Sequence, residues 1–210
     1  MSENSLKTGT TTLGIKCSEG IILAADKRAT AGNFIASKEA EKIIPINDKM
    51  AVTTAGTVSD VQMLVKGLRG ELKLKSLKSG RMLTTKEAAN LLAGMVYYNI
   101  RKMSMIPGIS HFLFAGNDKY ENHLYEIYPD GSMNEVKDFV ASGSGSPMVY
   151  GLLESEYKEN MSKTEAKDMA LKAINSALKR DSASGNGIDM VLINKDGIQR
   201  LVENKKPDNN

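Results

Sequence analysis

Apolar side chains recur along this chain with two periods, and the changes between them divide it into blocks. Residues 10–17 and 21–26 each read as a strand, joined by a turn at Ser18-Glu19-Gly20. Short strands are expected over residues 34–37, 42–46 and 50–55. From Val61 the period lengthens: Val61, Leu64, Val65, Leu68 and Leu72 stand at i, i+3, i+4, i+7 and i+11, the stripe of an amphipathic helix. Thr84-Thr85-Lys86-Glu87 is a capping box, continued by Ala88, Leu91, Leu92 and Met95 as a second helix. Strands are expected again over residues 112–115, 124–128 (closed by Pro129-Asp130-Gly131) and 136–141. A helix over 147–157 takes Pro147 at its first turn. Another follows the Ser162-to-Glu165 cap, with Ala166, Met169, Ala170, Ala173, Ile174 and Ala177 on one stripe. Strands over 188–193 and 198–201 close the order. Helix pairs between blocks of strands predict a layered α+β fold rather than alternating βαβ units. No repeat or interdomain linker interrupts it, so a single domain is expected.

Composition narrows this picture modestly. The chain has 210 residues, 41% of them hydrophobic and 25% charged, ordinary values for a globular domain that needs no disulfides. A formal net charge of +3 is too small to imply a nucleic-acid partner. The basic stretch over residues 66–81 alternates with leucines and reads as a solvated helix face. Cys17 is the single cysteine; it excludes an internal disulfide, fits a reducing compartment and is expected in the core. No apolar run reaches the 18 residues of a membrane span. Residues 1–9 have no apolar core, so they are not a secretory signal; a tail and a removable propeptide both remain open.

The chemistry begins at Gly9-Thr10-Thr11-Thr12-Leu13-Gly14-Ile15. One cut after Gly9 would give Thr10 both a hydroxyl and a free amine. An α-amine has an unperturbed pKa of about 7.7–8.0, so it accepts a proton near neutrality and can serve its own hydroxyl as base. On these residues alone a first β-strand is the simpler reading. A turn centred near Glu19 brings Asp26 back opposite residue 11 or 12, although a one-residue slip would turn its side chain to the other face. Lys42 opens an apolar run; it is either a solvated edge lysine or, beside Asp26, a fixed cation that lowers a nearby hydroxyl's pKa. Gly56, between a strand and a helix, is either a turn or an N–H aimed at a developing oxyanion. Residues 142–147 lack the lysine of a P-loop and the glycine pattern of a nucleophile elbow. Asp181-Ser182-Ala183-Ser184-Gly185 reads as a cap and turn after a helix. His111 and His123 have no ligand set around them, so no metal site is expected. Two histidines and one cysteine leave little for Ser-His or Cys-His machinery, which favours a histidine-free nucleophile.

Taken together, Gly9 to Ile15, Ala25-Asp26-Lys27-Arg28, Glu41-Lys42, Ala55-Gly56, Gly143 to Pro147 and Arg180 to Gly185 resemble a proteasome beta subunit, closest to the archaeal-type catalytic one. The similarity covers nearly all of residues 10–204, with six motifs in order and in spacing. It implies the N-terminal-nucleophile hydrolase fold, a four-layer αββα sandwich. Residues 1–9 would be a propeptide removed autocatalytically, 10–202 the peptidase domain and 203–210 a polar tail. Thr10 matches the nucleophile freed by cleavage at Gly9, Asp26 and Lys42 the catalytic carboxylate and lysine, and Gly56 the oxyanion-hole glycine. Ser144, Asp181 and Ser184 match the residues around the threonine amine; Ala29, Thr30, Thr54 and Val58 match substrate-binding positions. The implied activity is cofactor-free threonine endopeptidase cleavage of unfolded polypeptides. The implied setting is a cytoplasmic particle of stacked heptameric alpha and beta rings, 28 subunits in all, fed by an ATPase, with no nucleic acid or membrane. The alternatives are a non-catalytic scaffold beta subunit, a two-ring bacterial heat-shock-type peptidase, and an amidase of small amides.

Overall fold

The structure is a computed structural model that describes residues 9–105 and 107–202. The expected leader up to residue 8 and the tail 203–210 lie outside the described residues.

Two five-stranded antiparallel sheets and two helix pairs make up the fold. In the first sheet β1 (Thr12–Cys17) turns back through Ser18-Glu19 into β2 (Gly20–Asp26). It is completed by β10 (Phe139–Ser142), β11 (Ile188–Asn194) and β12 (Gly197–Val202), in the order β10-β1-β2-β11-β12. The second sheet runs β5 (Ile43–Asn47), β6 (Met50–Gly56), β7 (Ser110–Asn117), β8 (Asn122–Ile127) and β9 (Met133–Val136). A small ribbon of β3 (Ala29–Ala31) and β4 (Phe34–Ser37) stands apart. Helices α1 (Val58–Ser79) and α2 (Thr85–Arg101) follow β6; α3 (Ser146–Glu156) and α4 (Lys163–Leu178) follow β10.

The two-residue period of the strands sorts their side chains into three buried clusters. Leu13, Ile15, Ile22 and Ala24 meet α3 and α4 through Val149, Leu153, Ala170, Ala173 and Ile174. The alternate residues Ile21, Leu23 and Ala25, with Val191 and Ile193, meet Ala51, Leu113, Ala115 and Leu124 of the second sheet. The other face of that sheet sets Val52, Phe112, Phe114 and Tyr125 against Leu68, Ala88 and Leu92 of α1 and α2. Burial on both faces explains why β2 is apolar without interruption until Asp26. Cys17 is half-buried and packs against the first cluster.

Both expected capping boxes form, Thr84 with Glu87 and Ser162 with Glu165. The lysines on α1 after residue 65 are exposed, as a solvated face requires. Two expectations need correction, and one element was not expected. The first strand starts at Thr12, because the Thr11 amide donates to the Asp26 carboxylate instead of to a neighbouring strand. The single strand expected over 136–141 is two, β9 and β10, one in each sheet. The sequence also carries no signal for β3, three residues that pair locally with β4.

Candidate active site

Register settles where Asp26 falls. Thr12 pairs with Ala25, and the Asp26 amide donates to the Thr11 carbonyl at 3.0 Å, so Asp26 stands opposite residue 11. Its carboxylate is fully buried and accepts four hydrogen bonds, matching its acceptor capacity. Oδ1 takes the Thr11 amide at 2.9 Å and the Lys42 ammonium at 2.5 Å. Oδ2 takes the amides of Arg28 at 3.0 Å and Gly185 at 2.9 Å. Lys42 is 6% exposed and no solvated edge residue. Burial pulls its pKa below the ordinary lysine value, and the attraction and hydrogen bond of Asp26 push back. Breaking such a pair from one side strands the other charge in the interior, at about 3–5 kcal/mol.

A second cluster surrounds residue 10 from the other side. Gly143 adopts φ +94°, a left-handed conformation suited to glycine, and a Cβ there would stand 2.0 Å from the Thr10 carbonyl oxygen. That close turn carries Ser144, whose hydroxyl accepts from the Thr10 amide at 3.3 Å and donates to Asp181 at 2.6 Å. The Ser184 hydroxyl donates to the same Asp181 oxygen at 2.6 Å. Its hydrogen being used there, it accepts from the Thr11 hydroxyl at 2.7 Å.

Between the clusters lies the Gly9–Thr10 peptide, with both residues buried. The Thr10 hydroxyl donates to the Gly9 carbonyl at 2.7 Å, and the Gly9 amide donates to the Thr30 hydroxyl at 3.0 Å. Thr30 is buried in β3, with Ala29 half-buried beside it. The Thr54 amide donates to the Lys42 carbonyl at 3.0 Å, which ties β6 to the lysine. Gly56, at φ +123°, and the exposed Val58 continue that strand into α1; neither shares a described hydrogen bond with residue 10. Thus Thr10, Asp26, Lys42, Ser144, Asp181, Ser184 and Thr30 form one connected region around the peptide, with Gly56 and Val58 beyond it.

Several groups in this region escaped the sequence reading. The Gly185 and Arg28 amides and both polar groups of Thr11 hold the named side chains, yet a backbone donor leaves no mark on residue type. Arg28 is different: its guanidinium donates to Asn186 at 2.8 Å and to the Ser182 carbonyl at 2.7 Å, stapling the 182–186 loop over Asp26. Arg28 stands inside the Ala25-Asp26-Lys27-Arg28 motif, which is its signal, although the motif assigns it no role. His111 and His123 lie beside Glu126 and Glu135, each at 3.1 Å. Among the described residues no group of three or more His, Cys, Asp or Glu side chains is arranged to hold a metal. No described helix is long and apolar enough to cross a membrane.

A family model described as Proteasome subunit matches residues 6–193. Among curated proteins, the chain is 41% identical over 196 residues to a "Proteasome subunit beta" of Methanocaldococcus vulcanius, covering 93% of this chain and 86% of that one. It is 43% identical to the protein of the same name from Ferroglobus placidus, over 92% of this chain and 90% of that one. The corresponding protein of Methanohalophilus mahii is 44% identical, again over 92% and 90%.

Proposed function

The chain belongs to the proteasome subunit family, and on that premise we propose that it is a catalytic beta subunit of a 20S core particle, with Thr10 as its nucleophile. The observation that carries this reading is the Gly9–Thr10 bond itself. The Thr10 hydroxyl is 2.7 Å from the oxygen of the carbonyl it would attack, with Asp26–Lys42 on one side and Ser144–Asp181–Ser184 on the other.

In the first step Thr10 Oγ bonds to the Gly9 carbonyl carbon, the carbon–nitrogen bond to Thr10 breaks, and the nitrogen takes the hydroxyl proton. Water then hydrolyses the resulting ester, which releases the leader with Gly9 as its carboxylate and frees both the amine and the hydroxyl of Thr10. In turnover the amine accepts the hydroxyl proton while Oγ attacks a substrate carbonyl, then returns that proton to the leaving amine; water cleaves the acyl-enzyme. Lys42, held by Asp26, favours the alkoxide electrostatically. Ser144, Asp181 and Ser184 set the protonation of the amine. The Gly56 N–H serves as oxyanion donor, a contribution of about 2.7–4 kcal/mol in such sites. Ala29, Thr30, Thr54 and Val58 line the substrate path.

The finer architecture we assign is the four-layer αββα sandwich of N-terminal-nucleophile hydrolases, supported by the three core clusters. We assign residues 1–9 as propeptide, 10–202 as the peptidase domain and 203–210 as tail. The particle is a cytoplasmic stack of heptameric alpha and beta rings that receives unfolded polypeptide from an ATPase. Mass spectrometry of assembled particles tests the reading, with Thr10 expected as the N-terminus and Thr10→Ala expected to keep the leader and lose peptide cleavage. Active particles that retain Gly9, or activity surviving in T10A, would refute it. An epoxyketone inhibitor should label Thr10; a scaffold subunit would take up none.

A further inference from the structure

If Thr10 attacks and Gly56 donates to the oxyanion, the two halves of the reaction come from different sheets. Thr10 and the Ser144 turn extend β1 and β10, whereas Gly56 ends β6. Their alignment depends on what ties the sheets together at this end. Lys42–Asp26 is one such tie. His111 makes another. It stands on β7 opposite Ala55, next to the Ser110 that pairs with Gly56. Its Nδ1 lies 2.8 Å from the hydroxyl of Ser142, the last residue of β10, and its Nε2 lies 3.1 Å from Glu126 on β8. The other Glu126 oxygen accepts from the Tyr128 hydroxyl at 2.7 Å, and the Tyr128 ring stacks on the imidazole at 5.2 Å.

A carboxylate only accepts, so Nε2 holds its proton toward Glu126, and Nδ1 pairs with the Ser142 hydroxyl, which can donate or accept. Burial raises the Glu126 pKa, but the His111 and Tyr128 hydrogen bonds outweigh it and leave the acid below its ordinary value. Ser142, 3% exposed, pairs with Thr12 and leads directly into Gly143 and Ser144. We propose that His111 is a positioning residue for peptide hydrolysis. Through Ser142 it fixes the turn that sets Ser144 against Thr10, in register with the strand that presents Gly56. The proposal rests on the threonine-peptidase reading.

The test uses assembled particles and a fluorogenic peptide, with His111→Ala, His111→Asn, Ser142→Ala and the double variant H111A/S142A. A small displacement of a reacting group is enough to slow chemistry, so H111A and S142A should each lower kcat about tenfold with KM nearly unchanged. The double variant should be no slower than either single one, because both cut the same link. Asn places an amide oxygen near the Nδ1 position and should restore most of the rate. Unchanged kcat, losses that multiply in the double variant, a loss confined to KM, or H111N no better than H111A would each overturn the proposal. S142A removes one buried oxygen only and answers the question even where H111A does not assemble. Wild-type particles that cleave no peptide would overturn the peptidase reading and this proposal with it; active wild type with indifferent variants would overturn the positioning role alone.

Discussion

A Cβ added at residue 9 would stand 1.7 Å from the Cβ of Ala183, well inside van der Waals contact. Glycine at that position is therefore a packing requirement, set by the same 181–185 loop that holds Asp26 and the Ser144 hydroxyl. Gly9→Ala should push the scissile carbonyl off its place, so that particles keep the leader and their mass reports the uncut subunit. Ala183→Gly in that background removes the 1.7 Å contact but leaves the residue 183 Cα at 2.8 Å, so it should restore cleavage at Thr10 only in part. Complete processing of the single variant would show that the clash does not govern the cut. Much of this site was legible at residue level. The short turn near Glu19 implied Asp26 opposite residue 11 or 12, and the acid then gave Lys42 a partner that a lone strand lysine lacks. The Ser144–Asp181–Ser184 contacts were not legible in that way. Ser144 meets Asp181 across 37 positions and Ser184 meets Thr11 across 173, and only a family resemblance pointed to them; the Ser184–Asp181 bond is local, within one turn.

At the scale of elements, period and capping chemistry located the helices, because a 3.6-residue stripe and a cap are local properties. They could not locate the split between β9 and β10. The chain bends at Lys137-Asp138 to change sheet, and neither residue is a glycine or proline that would mark the break in the sequence. The α2 capping box carries a charge whose contribution depends on pH. Arg81 and the Thr84 amide hydrogen-bond Glu87 and lower its pKa to about 2, although the pair is exposed. A carboxyl depressed on folding stabilises the fold above its unfolded value of 4.5, and that contribution disappears as pH falls through the folded value. Glu87→Gln preserves the cap geometry and removes the charge. It should lower the thermal midpoint of the subunit at pH 7 by the equivalent of about 0.2–1 kcal/mol, the range of exposed ion pairs. The gap between variant and wild type should narrow steadily from pH 4.5 downward. A gap that stays constant to pH 3 would mean that the charge contributes nothing.

Over the whole molecule, the described interior is closed on both sides of each sheet, and part of the apolar surface that remains forms a line along α1. Met63, Leu74 and Leu77 of α1 are all exposed, the last at 74%. At 100° per residue they fall within about 60° of one another, on the side of α1 opposite its buried residues Leu64, Val65 and Leu68. Gly70 lies on the same line, with open space where a Cβ would stand. Such a stripe has no use in a solitary chain, where a large exposed apolar patch marks an interaction surface. Membership of a family whose members assemble into multi-subunit particles supplies the occupant, a neighbouring subunit. Because Leu74 and Leu77 are exposed and belong to none of the buried clusters, replacing both with glutamate should leave the subunit folded, with an unchanged far-ultraviolet spectrum. Native mass spectrometry should then find fewer complete particles. If Thr10 is freed only within assembled rings, the same variant should also accumulate with Gly9 still attached. Full assembly of L74E/L77E would move the interface elsewhere, whereas a variant that unfolds would place those leucines in the fold's own stability.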